Sequence, residues 1–242
     1  MIKQRLKSVV QSAAFIVALS SLVYFCYHPV FSYDFINFDD PIYVTDNHAV
    51  KQGITYESLR WAFAIHEDIC MYYQPVAWIS HMIDVELWGL DPGRHHRTSV
   101  AIHWINAVML FLLLQCYTKS FAISAMTASF FAFHPVNVDS VCWIAERKTL
   151  VAAFFWFLGM GSYLIYIRKP GFFRYSLVAL FFTLGLFTKP VMVTFPCVLL
   201  LMDIWPLKRL STAPTVDIRS VLRLVSEKIP LITITALWFI TP

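Results

Sequence analysis

Apolar residues in this chain mostly occur as long unbroken runs, not at the spacing of a half-buried helix or strand. Runs cover roughly residues 9–29, 98–117, 119–134, 149–167, 173–188, 190–206 and 229–242. A helix that crosses a bilayer needs roughly 20 mostly apolar residues. The pattern therefore predicts an all-α polytopic membrane protein with about seven membrane helices. The third, fifth and sixth runs are short for the task. The last is still apolar where the sequence ends, as expected of the N-terminal part of a longer protein.

Between the runs the pattern changes. Residues 30–97 form a loop far longer than ordinary connections, and it contains helical pieces. "TYESLRWAFAI" offers Thr55 as an N-cap, and "PVAWISHMIDVELWGL" sets Val76, Ile79, Ile83, Val85 and Leu87 partly on one face. Both are expected to lie on the bilayer surface, with Trp61, Trp78 and Trp88 at headgroup depth. In residues 134–148, "HPVNVDSVCWIAERK" places Val138, Val141, Cys142 and Ala145 at i, i+3, i+4 and i+7. That spacing predicts a short interfacial helix. Residues 207–228 include "TVDIRSVLRLVSEK", an amphipathic segment whose basic face suits anionic lipid.

Charge orients these pieces. With the N-terminus in the cytoplasm and the spans alternating, 12 of the 19 Lys and Arg fall on the inner side, in short loops. This is the positive-inside pattern. Residues 30–97 and 134–148 are then outer loops, and 207–228 is cytoplasmic. Nearly all the acids and all eight histidines gather at the outer side. Any chemistry is expected there. The N-terminal run has a basic head but no small-residue cleavage site, and reads as an uncleaved anchor.

Composition agrees. Hydrophobic residues make up 58% and charged residues 14% of the 242 residues, where a soluble domain is roughly half apolar and a quarter charged. A net charge of +4 is too small to point to nucleic acid. The five cysteines have no CxxC or zinc spacing, and a Cys70–Cys142 bridge is not expected.

Four places carry candidate chemistry. Asp39 and Asp40, in "NFDDPIYV", follow the first span. An Asp-Asp before Pro41 reads equally as a solvated turn. Beside an apolar surface, though, two adjacent carboxylates raise one another's pKa toward that of a useful base. They are the expected catalytic pair, with a divalent cation such as Mg or Mn as an option there. Arg94, His95 and His96 precede the second span and could hold a phosphate. His96 and His103 lack a third ligand for zinc, so no metal is assigned to them. Arg147 and Lys148, with Glu146 and Asp139 in support, stand before the fourth span and are expected, with Lys189, to bind the phosphate of a lipid carrier. Lys189 sits in a very short hairpin, where a lone cation is costly without a partner.

Four blocks, "NFDDPIYVTDN", "QPVAWISHMID", "HPVNVDSVCWIAERK" and "TKPVMVTFPCVLLLMDIWPLKR", resemble the transmembrane and tetratricopeptide-repeat O-mannosyltransferase family and its bacterial relatives. They run in order from about Asp34 to Arg209. The resemblance implies a C-type glycosyltransferase-like fold, an acidic pair in the first outer loop matched by Asp39 and Asp40, and a polyprenyl-phosphate sugar donor. It also implies a protein acceptor and no nucleic acid. Further spans and the repeat tail of that family are missing from this sequence, and Pro75-Val76-Ala77 stands where relatives carry Pro-Leu-Thr. Membrane sugar transfer is the expected function. The alternatives are a non-catalytic carrier-lipid binder or transporter, or an inactive truncated remnant. The expected location is a bacterial inner membrane, or the endoplasmic reticulum membrane in a eukaryote.

Overall fold

The structure is a computed structural model that describes residues 2–66, 73–210 and 218–240, with the side chains of residues 2–5 left aside. It is all-helical, with no strand among the described residues. Along the chain the helices are α1 (Ile2–Tyr27), α2 (His48–Lys51), α3 (Tyr56–Ala62), α4 (Pro75–Trp88), α5 (Pro92–Thr118) and α6 (Phe121–Phe133). They continue with α7 (Val138–Cys142), α8 (Arg147–Arg168), α9 (Phe172–Leu186), α10 (Phe195–Ile204), α11 (Ile218–Ser226) and α12 (Ile229–Ile240).

Three stretches, Leu6–Ser32, Pro92–Thr118 and Ile144–Arg168, are long and apolar enough to cross a membrane. Residues Phe121–Phe133 and Pro135–Cys142 make a fourth if the 50° bend between them is counted within one span. The other three apolar runs are helices at Phe172–Leu186, Pro190–Ile204 and Ile229–Ile240, each shorter than a full crossing. Three or four crossings are thus supported by length and composition among the described residues, not the expected seven. The exposed Val9, Val10, Val17, Leu22 and Phe25 of α1 are what a lipid-facing surface requires. The chain is an integral membrane protein.

Two compact units emerge: Met1–Ser58 with Ser80–Leu150, and Leu59–Ile79 with Val151–Pro242. In the first, Leu19, Val23, Tyr27, Val30, Val100, Ala107, Ala132, Val141 and Leu150 form the core. Polar ties cross it. Asn106 Nδ2 donates to the Leu150 carbonyl at 2.8 Å, and the Ala132 carbonyl receives Tyr27 Oη–H at 3.3 Å and lies 3.0 Å from His103 Nε2. In a hydrocarbon setting such groups must find partners within the protein. Lys119, in the left-handed conformation at φ 57°, ends α5 and lets the chain reverse into α6.

The second unit has a charged centre. Asp203 at the end of α10 is buried and pairs with Arg209 at 3.0 Å and with Lys228. Arg209 also donates to both oxygens of Glu227, at 2.8 and 2.9 Å. Tyr163 of α8 donates to Asp203 at 2.7 Å. Burial opposes charge on Glu227, but Arg209 and Lys228 outweigh it and hold the carboxyl below its usual range.

Two local expectations change. Trp78 is buried and stacks edge-on against Trp61 at 5.3 Å. It is an interior residue, not a headgroup anchor, because α4 turns Ala77, Trp78, His81 and Met82 inward. The expected single helix through 138–145 stops at Cys142, since Trp143 is extended (φ −99°, ψ 117°). Val138 is consequently exposed while Val141 and Ala145 are buried. Thr55 does cap α3, its hydroxyl receiving the Ser58 N–H at 3.0 Å. Cys70 lies outside the described residues, as do residues 211–217 of the predicted cytoplasmic segment; its remainder forms α11.

Candidate active site

The acid pair closes a turn. Asp39 and Asp40 precede a one-turn π-type helix, Pro41–Thr45, in which the Tyr43 N–H reaches the Asp39 carbonyl at 3.0 Å. Pro41 suits that first position because it has no N–H to satisfy. Asp40 is fully buried, and each of its oxygens is engaged. Oδ2 accepts the Ile36 N–H and Oδ1 the Ala145 N–H, both at 2.8 Å. The second bond joins residues 105 apart. It forms where the chain leaves the extended Trp143 for the short helical turn Ile144–Glu146 and then α8. The helix break at Trp143 thus sits directly beside the anchoring contact. Burial pushes the Asp40 carboxyl up, the two N–H donors oppose this, and neighbouring Asp39 adds to it. Asp39 is only half-buried, and among the described residues its carboxylate has no hydrogen bond or ion pair.

Behind this turn, Lys148 is buried at the start of α8. Its Nζ donates to Tyr43 Oη at 3.1 Å, lies 4.4 Å from that ring's centre, and pairs with Glu146 at 3.0 Å. Thr149 Oγ1 donates to the other Glu146 oxygen at 2.8 Å. Arg147 is fully buried and deeply engaged. It pairs with Asp84 of α4 and donates to Ser99 Oγ at 3.1 Å, the His95 carbonyl at 2.7 Å and the Ser80 carbonyl at 3.4 Å. His95 Nε2 lies 3.0 Å from the Gly89 carbonyl, and Nδ1 3.5 Å from Asp84. The starts of α5 and α8, the middle of α4 and the acid-pair turn therefore meet in one buried cluster within the first unit.

The remaining predicted residues are placed differently. Arg94 is half exposed, 3.6 Å from Asp91 and over the Trp88 ring at 4.6 Å. His96 is buried, edge-on to Tyr33 at 6.3 Å. Asp139 is exposed on α7. Lys189 is partly buried and belongs to the second unit, in the hairpin between α9 and α10.

His81 and Asp84 carry no role in the sequence reading, yet they are central here. His81 is fully buried, packs edge-on to Tyr43 at 6.2 Å, and neither ring nitrogen has a hydrogen-bond partner among the described residues. Ionisable residues three apart on an otherwise apolar helix, "SHMID", were the available signal. Burial, reinforced by Arg147, His95 and Lys148, holds His81 well below its ordinary pKa. The unfolded chain takes up this proton first as pH falls, so the stability contribution is full above the ordinary histidine value and is lost toward the folded one. Between pH 7.5 and 5.5, His81 alone is expected to contribute a loss of about 1.4 kcal/mol per pH unit once below the ordinary value. Thermal melts should show a smaller loss for His81→Gln, and identical pH dependence would contradict a buried neutral His81.

Both Asp40 oxygens are occupied by main-chain donors, and among the described residues no three His, Cys, Asp or Glu side chains converge in a way that could hold a metal ion.

No family model and no solved structure matches the chain. Among curated proteins, it is similar to protein O-mannosyl-transferase TMTC1 of Mus musculus, 26% identical over 162 residues that cover 63% of this chain. The chain spans only 16% of that relative's length. An all-helical membrane protein with a buried carboxylate, histidine and arginine cluster is thus similar, over most of its own length, to part of an O-mannosyl-transferase.

Proposed function

We propose that the chain forms part of a membrane glycosyltransferase that moves a hexose, mannose on the strength of the similarity, from a polyprenyl-phosphate carrier to a protein hydroxyl at the non-cytoplasmic face. The observation that carries this reading is the acid pair: one carboxylate is clamped by two main-chain donors while its neighbour is left free. Asp39 is the base. It takes the acceptor hydroxyl's proton as the oxygen bonds to the anomeric carbon. The bond from that carbon to the phosphate oxygen breaks, and the carrier phosphate leaves with the electron pair. Asp40 holds Asp39 in place. Arg147, whose donors are taken by Asp84 and its neighbours, is a strut beneath the site. Within the first unit, Arg94, His96 and Lys148 are the cations and donors proposed for the phosphate. Its charge develops during transfer, and preorganised donors then contribute most.

The test uses membranes containing the natural full-length gene product, labelled mannosyl-phosphoryl-polyprenol and a Ser/Thr-rich acceptor protein. Label is expected in the acceptor, released by the β-elimination that cleaves O-linked sugar. Carrier binding without any transfer would instead support a lipid-binding protein.

A further inference from the structure

One face of α5 points away from the cluster. His95, His96, Ser99 and His103 are buried, whereas Arg97, Ala101 and Trp104, at i, i+4 and i+7, are exposed. This second stripe lies beside α1. Trp104 Nε1 donates to Ser20 Oγ at 2.7 Å, and the Arg97 guanidinium lies 5.4 Å from the centre of the Phe31 ring. A later residue of α5 meets an earlier one of α1, so the helices are antiparallel. Between them runs a laterally open groove of about 230 Å³, lined by Val23, Tyr24, Phe31, Val100, Ala101 and Trp104, with Arg97 at one end.

From Arg97 to Trp104 the groove follows roughly 10 Å of helix. Its top is closed by a tight approach: a Cβ on Gly93 would stand 2.4 Å from the Phe31 carbonyl oxygen. Among the described residues no carboxylate pairs with Arg97. A cation with no counter-charge among the described residues, at the end of an apolar channel between two helices that both qualify as membrane spans, has the polarity of a lipid: charged head, then hydrocarbon.

We propose that this groove binds one acyl chain of an anionic membrane phospholipid, with the phosphate on Arg97. The guanidinium fork donates to phosphate oxygens. The aliphatic chain covers Tyr24, Ala101 and the Trp104 face, which would otherwise meet disordered lipid. The site is separate from the acid pair and does not depend on sugar transfer.

Native mass spectrometry of the detergent-purified chain tests this, with phosphatidylglycerol, phosphatidylcholine or undecaprenyl phosphate added. One phosphatidylglycerol is expected to remain bound in preference to phosphatidylcholine. Arg97→Gln should weaken its retention about five-fold, the size of one cation's attraction to anionic lipid. Ala101→Phe, which fills the groove without removing a contact, should abolish it, and exposed Lys51→Gln should leave it unchanged. Equal retention of both phospholipids, or no effect of either groove variant, would overturn the proposal. So would displacement by equimolar undecaprenyl phosphate, which would assign the groove to the carrier lipid.

Discussion

Asp39→Asn is expected to lower sugar transfer by about 10²–10⁴-fold while leaving thermal stability near that of the parent protein. Asparagine keeps the size of the side chain but cannot accept the acceptor's proton. Nothing in the fold rests on the Asp39 carboxylate, which is half-buried and unpaired among the described residues. Asp40→Asn should behave differently. Both Asp40 oxygens accept main-chain N–H groups, and an amide offers only one acceptor oxygen. Either Ile36 or Ala145 then faces an NH₂ group, at a cost of about 1–3 kcal/mol for the orphaned donor. Transfer assays and thermal melts on both variants separate the roles. Full activity in Asp39→Asn would move the base elsewhere.

Replacing Asp84 with leucine should have the largest effect on stability, about 3–5 kcal/mol. It strands the fully buried Arg147 charge, whose remaining partners, the His95 and Ser80 carbonyls and Ser99 Oγ, are neutral. Asp84→Leu with Arg147→Met removes both charges and should recover most of the loss. The double-mutant cycle, read by thermal unfolding in a fixed detergent, measures the coupling. If the single variant is as stable as the parent, Arg147 has access to water or another counter-charge.

Much of the helical plan was written in the apolar runs: α1, α5 and α8 fall where the longest runs predicted, and the shorter runs became the shorter helices. Hydropathy could not say how many cross, because α6, α9, α10 and α12 are each below spanning length. The break at Trp143 was hidden for a different reason. Val138, Val141, Cys142 and Ala145 have helical spacing, but the contact that accompanies the break, Asp40 to the Ala145 N–H, is made with a residue 105 positions away. The acid pair was visible as adjacent carboxylates after a span. Its division into an anchored and a free member was not, since that depends on which main-chain donors lie nearby. Asp84 escaped for the same reason: an acid on a mostly apolar helix has meaning only once Arg147 is opposite.

The charged centre of the second unit bears on how the protein is made. Asp203, Arg209, Glu227 and Lys228 hold two charges of each sign in mutual contact, and they flank α10 and α12, which have only 10 and 12 residues. A charge left at the middle of a membrane helix costs about 2.5–3.5 kcal/mol on insertion scales, and short apolar helices have little to set against even part of that. If α10 were released into lipid during synthesis before Lys228 had emerged, Asp203 would lack one of its two cations. Neutralising the packet therefore favours keeping α10 at the insertion machinery until α12 follows, so that the two helices leave it as one unit.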